Sequence, residues 1–166
     1  MVLGMSLPAF TTLHVIVSLV AIAAGFVVVY GMAVSKRMPG WTALFLATTI
    51  LTSVTGFLFP FEQLLPSHII GAISLAVLAV AVLAFYWYRL TGTWRWLYIA
   101  SAILALYLNV FVLLVQGFLK VAPLNRLAPT QSELPFVLAQ GAVLVAFVAL
   151  FIWLVRAFRP QPALQR

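Results

Sequence analysis

Between Leu51 and Leu75 the chain reads LTSVTGFLFPFEQLLPSHIIGAISL. An apolar segment closes on Thr55 and Gly56, breaks at Pro60, carries an acid at Glu62, breaks again at Pro66, and restarts with His68. Proline interrupts a helix because it lacks an amide donor and clashes with the preceding turn. The stretch therefore predicts one helix end, a short turn and the next helix start. It also holds, or lies within reach of, most of the residues able to carry chemistry.

On either side the chain is almost uniformly apolar. Of its 166 residues, 66% are hydrophobic and 7% charged, and the mean hydropathy is +1.21. A soluble domain carries roughly 25% charged residues. Runs of about 18 or more apolar residues recur, long enough to cross roughly 30 Å of hydrocarbon. These features predict an all-α integral membrane protein whose single domain, residues 1–166, is a bundle of five transmembrane helices. The helices are expected over residues 8–34, 41–59, 67–88, 94–119 and 133–158. Ser6 is the expected N-cap of the first, and Ser132 of the fifth, where it places Pro135 in the first turn. Residues 120–131 read as the longest loop. The first apolar run is too long for the core of a cleavable signal, and no basic residue precedes it.

The formal charge of +7 reads as topology rather than as a nucleic-acid surface, because the bases lie outside the apolar runs or at their ends. With five crossings, Lys36, Arg37, Arg89, Arg95, Arg156, Arg159 and Arg166 share one side. Lys120, Arg126 and both acids, Glu62 and Glu133, share the other. The positive-inside rule then places the C-terminus in the cytoplasm and the N-terminus outside. Tyr86, Trp87, Tyr88, Trp94, Trp96 and Tyr98 mark the basic face as a lipid–water boundary.

Polar residues are concentrated in the opposite half: His14, Ser18, Thr52, Thr55, His68, Asn109, Gln116 and Gln140. A polar side chain at membrane depth costs free energy unless partnered, so its position carries information. His14 and His68 start from the same face, and two neutral imidazoles on facing helices are the ligand set of a bis-His b-type haem. Measured from the expected helix starts, however, His14 lies about 10 Å deeper than His68. That mismatch counts against a shared iron, and ordinary hydrogen bonding to a carbonyl, a headgroup or water is the favoured account of each. Asn109 and Gln116, seven residues apart, share a helix face. They suit a quinone carbonyl or a haem propionate, or simply join helices to one another. Glu62 and Glu133 suit surface pairing with Lys120 or Arg126.

Two stripes of small and hydroxylated residues, His14–Ser18–Ala21–Gly25 and Thr48–Thr52–Thr55–Gly56, predict close helix approach. There is no cysteine, which excludes disulfides, thiolate metal sites and thiol nucleophiles. No phosphate-binding glycine loop, HExxH or GxSxG motif occurs, so catalysis by the chain alone has no support. Five unequal segments with prolines only near their ends speak against a transporter built from repeats with broken helices.

The segment LHVIVSLVAIAAGF together with PSHIIGAISL resembles small uncharacterised bacterial polytopic inner-membrane proteins. It is also similar to the membrane subunits of b-type cytochromes. The second resemblance implies one haem on His14 and His68, with no further histidines for another. The expected roles are then two. One is a non-catalytic accessory or assembly subunit that contacts the lipid bilayer and other membrane subunits or a second copy. The other is a redox subunit holding one b-type haem or a quinone near the outer face. A small-solute transporter is a distant third.

Overall fold

The computed structural model describes residues 2–59 and 66–160. The elements are α1 (Leu7–Ala33), α2 (Pro39–Gly56), α3 (Pro66–Val82) with a π-helical turn (Leu83–Trp87) at its end, α4 (Trp94–Lys120), α5 (Ala122–Leu127) and α6 (Leu134–Ala157). Among the described residues β pairing is limited to an isolated bridge between Val2 and Met5. Four helices, α1, α3 with its π turn, α4 and α6, are long and apolar enough to cross a membrane. The 18-residue α2, rich in threonine, is not one of the four.

Helix α2 nevertheless lies antiparallel along α1. His14 meets Thr55, Ser18 meets Thr52, Gly25 lies under Phe45 and Gly31 under Met38. As the number rises on one helix it falls on the other. α1 packs on α2, α2 on α3, α3 on α4, and α4 back on α1, which closes a four-helix ring. α6 lies outside the ring against α4 and, more lightly, α1.

Side-chain packing against a glycine is tightest at Gly25. A Cβ there would lie 2.6 Å from Leu106 Cδ1 and 3.0 Å from the Phe45 ring, so the small-residue stripe on α1 has the packing role expected of it. Around this point Ala24, Val28, Phe45, Leu46, Ile99, Ala102 and Leu106 form the buried apolar core. It occupies the middle of the bundle and the end where α1 finishes. His14, Ser18, Thr55, His68 and Gln140 lie towards the other end, but Thr42 and Ser101 are buried polar residues in the basic half, so the polar asymmetry is weaker than the sequence implies.

The helix ends follow local chemistry. Ser6 caps α1 by accepting from the Ala9 amide at 3.4 Å, with Pro8 in the first turn. α1 finishes with Ser35 in the left-handed region, φ 53°. The Ser35 amide donates to Met32 O and the Lys36 amide to Gly31 O, a Schellman closure with serine where glycine is usual. The Ser35 hydroxyl donates to Ala157 O at 2.7 Å and accepts from the Arg159 amide at 3.1 Å. One side chain thus closes α1 and ties it to the end of α6.

Three local expectations are corrected. Residue 133, not Ser132, is the N-cap of α6. The Glu133 carboxylate reaches back to the amides of Thr130 and Ser132 and the Thr130 hydroxyl, so it braces the turn before the helix and makes no bond to the amides of the first helical turn. The stretch 120–131 contains the short helix α5, with Pro123 in its first turn. The third segment ends in the π turn, where the Tyr88 amide donates to Leu83 O. Arg89 and Leu90 follow at positive φ, which turns the Leu90 side chain into the core. Tyr88 then stacks on Trp94 at 3.7 Å and starts α4.

Lys36, Arg37, Arg89, Arg95, Arg156 and Arg159 all lie at one end of this bundle. Lys120, Arg126 and Glu133 lie at the other. Glu62 lies outside the described residues.

Candidate functional site

Helix α2 is the polar centre of the molecule. Its buried residues are Thr42, Phe45, Leu46, Thr49 and Ser53, spaced three and four apart, so one inward face alternates hydroxyls with apolar side chains. Thr49 donates to Phe45 O at 2.7 Å, which leaves its oxygen to accept from Asn109 Nδ2 of α4 at 3.3 Å. Thr42 and the Tyr98 hydroxyl of α4 lie 3.2 Å apart. Ser53 donates to Ser74 of α3 at 3.0 Å. Threonine tolerates the apolar interior because its hydroxyl proton goes back to a carbonyl one turn earlier and its oxygen serves a neighbour.

At the end away from the bases the same logic fixes His14. The Thr55 hydroxyl donates its single proton to Leu51 O at 2.7 Å. Thr55 Oγ1 therefore accepts at 2.8 Å from His14 Nδ1, which must carry hydrogen. In the neutral imidazole the acceptor is then Nε2. Ser18 donates to His14 O at 2.7 Å and lies 3.4 Å from Thr52 Oγ1. Phe59 meets the imidazole edge-on, ring centroids 5.1 Å apart. The ring is half-buried.

His68 is buried on α3 and stacks on Phe57, centroids 5.7 Å apart. Gly71, one turn on, makes room for that phenyl ring: a Cβ there would lie 3.1 Å from it. The two histidines are therefore closer in depth than helix starts suggest, since Thr55 and Phe57 are separated by about 3 Å of helical rise. They occupy different seams, His14 between α1 and α2 and His68 between α2 and α3. α1 and α3 are opposite members of the ring and make no substantial contact. Among the described residues no cluster of three or more His, Cys, Asp or Glu is placed to hold a metal ion.

The other candidates separate. Asn109 faces α2 through Thr49, whereas Gln116 is exposed on α4, so the shared face of α4 does not bring them to one ligand. Gln140 of α6 donates to Phe111 O at 3.2 Å, and its buried Oε1 has no partner. Glu133 engages Thr130 and Ser132. Desolvation pushes its carboxyl up, but hydrogen bonds from Thr130, its own amide and Ser132 together outweigh that and hold it below its ordinary value.

Sequence reasoning missed the inward face of α2 and its partners Tyr98 and Ser74. The available signal was the spacing Thr42–Leu46–Thr49–Ser53, a second hydroxyl stripe beside the Thr48–Thr52–Thr55 one. Chemically, the seam offers hydrogen bonds and one imidazole acceptor, nearly all of it engaged between helices. No protein-family model, curated protein or solved structure matches the chain.

Proposed function

We propose that the chain crosses a bacterial inner membrane five times, N-terminus outside and C-terminus in the cytoplasm, as a non-catalytic subunit. In this reading it packs laterally against other membrane subunits or a second copy of itself. Counting α2 as a crossing is supported by its position beside α1 along its whole length and by its rise of about 27 Å, close to a hydrocarbon thickness of about 30 Å. Its threonines do not oppose this, because their hydroxyls are taken up inside the bundle. The orientation is supported by the six bases gathered at one end.

The observation that carries the lateral role is the exposure of α6. Of its residues only Gln140, Phe147 and Leu154 are buried. Leu138, Gly141, Val145, Ala149 and Ile152 form an outward stripe, and Gly141 has open space where a Cβ would stand. Small residues on an apolar face permit the close backbone contact on which association within lipid depends. The chain has no cysteine, so Val145→Cys gives a unique thiol. Short bifunctional maleimides applied to native membranes should yield a higher-mass adduct from Val145→Cys and none from Ile69→Cys on α3. A solitary species with both variants, and after gentle extraction, contradicts this role.

A second reading is favoured by the His14 tautomer. An imidazole that donates Nδ1–H to an oxygen and presents Nε2 is arranged as metal-binding histidines usually are. It would place one b-type haem on His14 and His68, or a quinol hydroxyl on His14. The separate seams of the two histidines give the shared haem less support. A Soret band in the purified protein that shifts on reduction would decide for it.

A further inference from the structure

We propose that the basic end of the bundle holds the phosphate of an anionic glycerophospholipid, in the cleft between the α1–α2 connection and the end of α6. The cleft, of about 480 Å³, is lined by Val34, Ser35, Lys36, Arg37, Arg159 and Pro160. Three of these carry fixed positive charge. Glu133 lies at the opposite end, so among the described residues no carboxylate side chain stands as a counter-ion here. Basic pockets at the ends of membrane helices attract phosphate headgroups for this reason.

The geometry is built rather than incidental. Ser35 is held at positive φ by bonds that fasten the α1–α2 connection to Ala157 and Arg159, which fixes Lys36 and Arg37 opposite Arg159. Arg37 is tethered by donating through Nη2 to Arg89 O at 2.6 Å, which holds its guanidinium at the cleft wall. A guanidinium held in place suits a phosphate oxygen.

An apolar track distinguishes a lipid from a free anion. Val34 lines the cleft, and Tyr30 and Phe26 continue from it along the same face of α1, spaced one turn apart. All three are exposed. A phosphate seated in the cleft thus leaves acyl chains lying along the Val34–Tyr30–Phe26 face, within the thickness that α1 spans. The proposal needs α1 and α6 in a membrane; it does not depend on α2 crossing, on orientation, or on the subunit role.

The test uses the full chain in neutral detergent, with phosphatidylglycerol or phosphatidylcholine added, read by native mass spectrometry and thermal unfolding. Phosphatidylglycerol should remain bound and raise Tm, and phosphatidylcholine should do neither. Lys36→Gln and Arg159→Gln together should weaken retention by about 5-fold for each base removed, with Arg126→Gln at the far end unchanged. Phe26→Asn should also lower retention, because it interrupts the acyl track but leaves the charges in place. Equal retention of both lipids, an equal loss in Arg126→Gln, or the same Tm rise from inorganic phosphate alone would each overturn the proposal.

Discussion

Ser35 gives the most exacting check on the packing. Serine in the left-handed region is strained by about 1–2 kcal/mol relative to glycine. Against this stand two hydrogen bonds from its hydroxyl, to Ala157 O and from the Arg159 amide, each contributing about 1 kcal/mol net. Ser35→Ala removes both bonds and keeps the strain, so it should destabilise by about 2 kcal/mol. Ser35→Gly removes the same bonds but relieves the strain, leaving a loss between about 0 and 1 kcal/mol. The order wild type, glycine variant, alanine variant should appear in equilibrium unfolding by SDS in mixed micelles, followed by tryptophan fluorescence. The paired comparison matters more than either value, since the two variants differ only in a methyl group and in backbone freedom. A glycine variant as unstable as the alanine variant refutes the positive-φ argument, and a neutral alanine variant refutes the bridge to α6.

Further outcomes follow from other sites. Gly25→Ala places a methyl 2.6 Å from Leu106 Cδ1 and should cost about 1–3 kcal/mol by overpacking; combined with Leu106→Ala it should cost less than the sum of the two single losses. Thr55→Val takes away the acceptor of His14 Nδ1 and should cost about 0.6 kcal/mol in detergent unfolding, with a change in the His14 imidazole nitrogen shifts by NMR. Because the Glu133 carboxyl is held below its ordinary value, the stability it adds is present above the unfolded value and is lost as pH falls through the folded one. Glu133→Gln should therefore flatten the fall of Tm below pH 4.5, the ordinary value, and unchanged curvature would rule out a stabilising role for the carboxylate's bonds to Thr130 and Ser132. On the subunit reading the purified protein shows no Soret band; a band that shifts with dithionite would transfer the argument to the haem reading.

The helices were legible because hydropathy and proline act locally. Apolar runs, Pro8 after Ser6, Pro39 opening α2 and the Pro60–Pro66 interruption mark starts and stops without reference to neighbours. The depth of His14, Thr55 and Gln140 was legible for the same reason, since depth along a helix is a simple count, although Thr42 and Ser101 place buried hydroxyls in the other half as well. Seams were harder, because they depend on how helices rotate and slide against one another. Nothing in the numbering says that Thr55 faces His14 while Phe57, two residues on, faces His68, although that difference separates the imidazoles. Asn109 and Gln116 share a face of α4, yet Asn109 meets Thr49 of α2 while Gln116 stays exposed. The role of Glu133 was hidden because its carboxylate turns back to the amides of Thr130 and Ser132, a contact set by the path of the preceding turn and not by the helix it opens. The π turn at Leu83–Trp87 has no sequence mark beyond its aromatic residues.

Crossing number is the claim on which orientation and the lateral role rest, and single-cysteine labelling in this cysteine-free chain tests it directly. With an impermeant maleimide on intact spheroplasts, Gly4→Cys and Arg126→Cys should label. Lys36→Cys, Gly92→Cys and Arg159→Cys should label only after permeabilisation. Lys36 and Gly92 found on opposite sides would mean that α2 turns back within the membrane, and would contradict the five-crossing account.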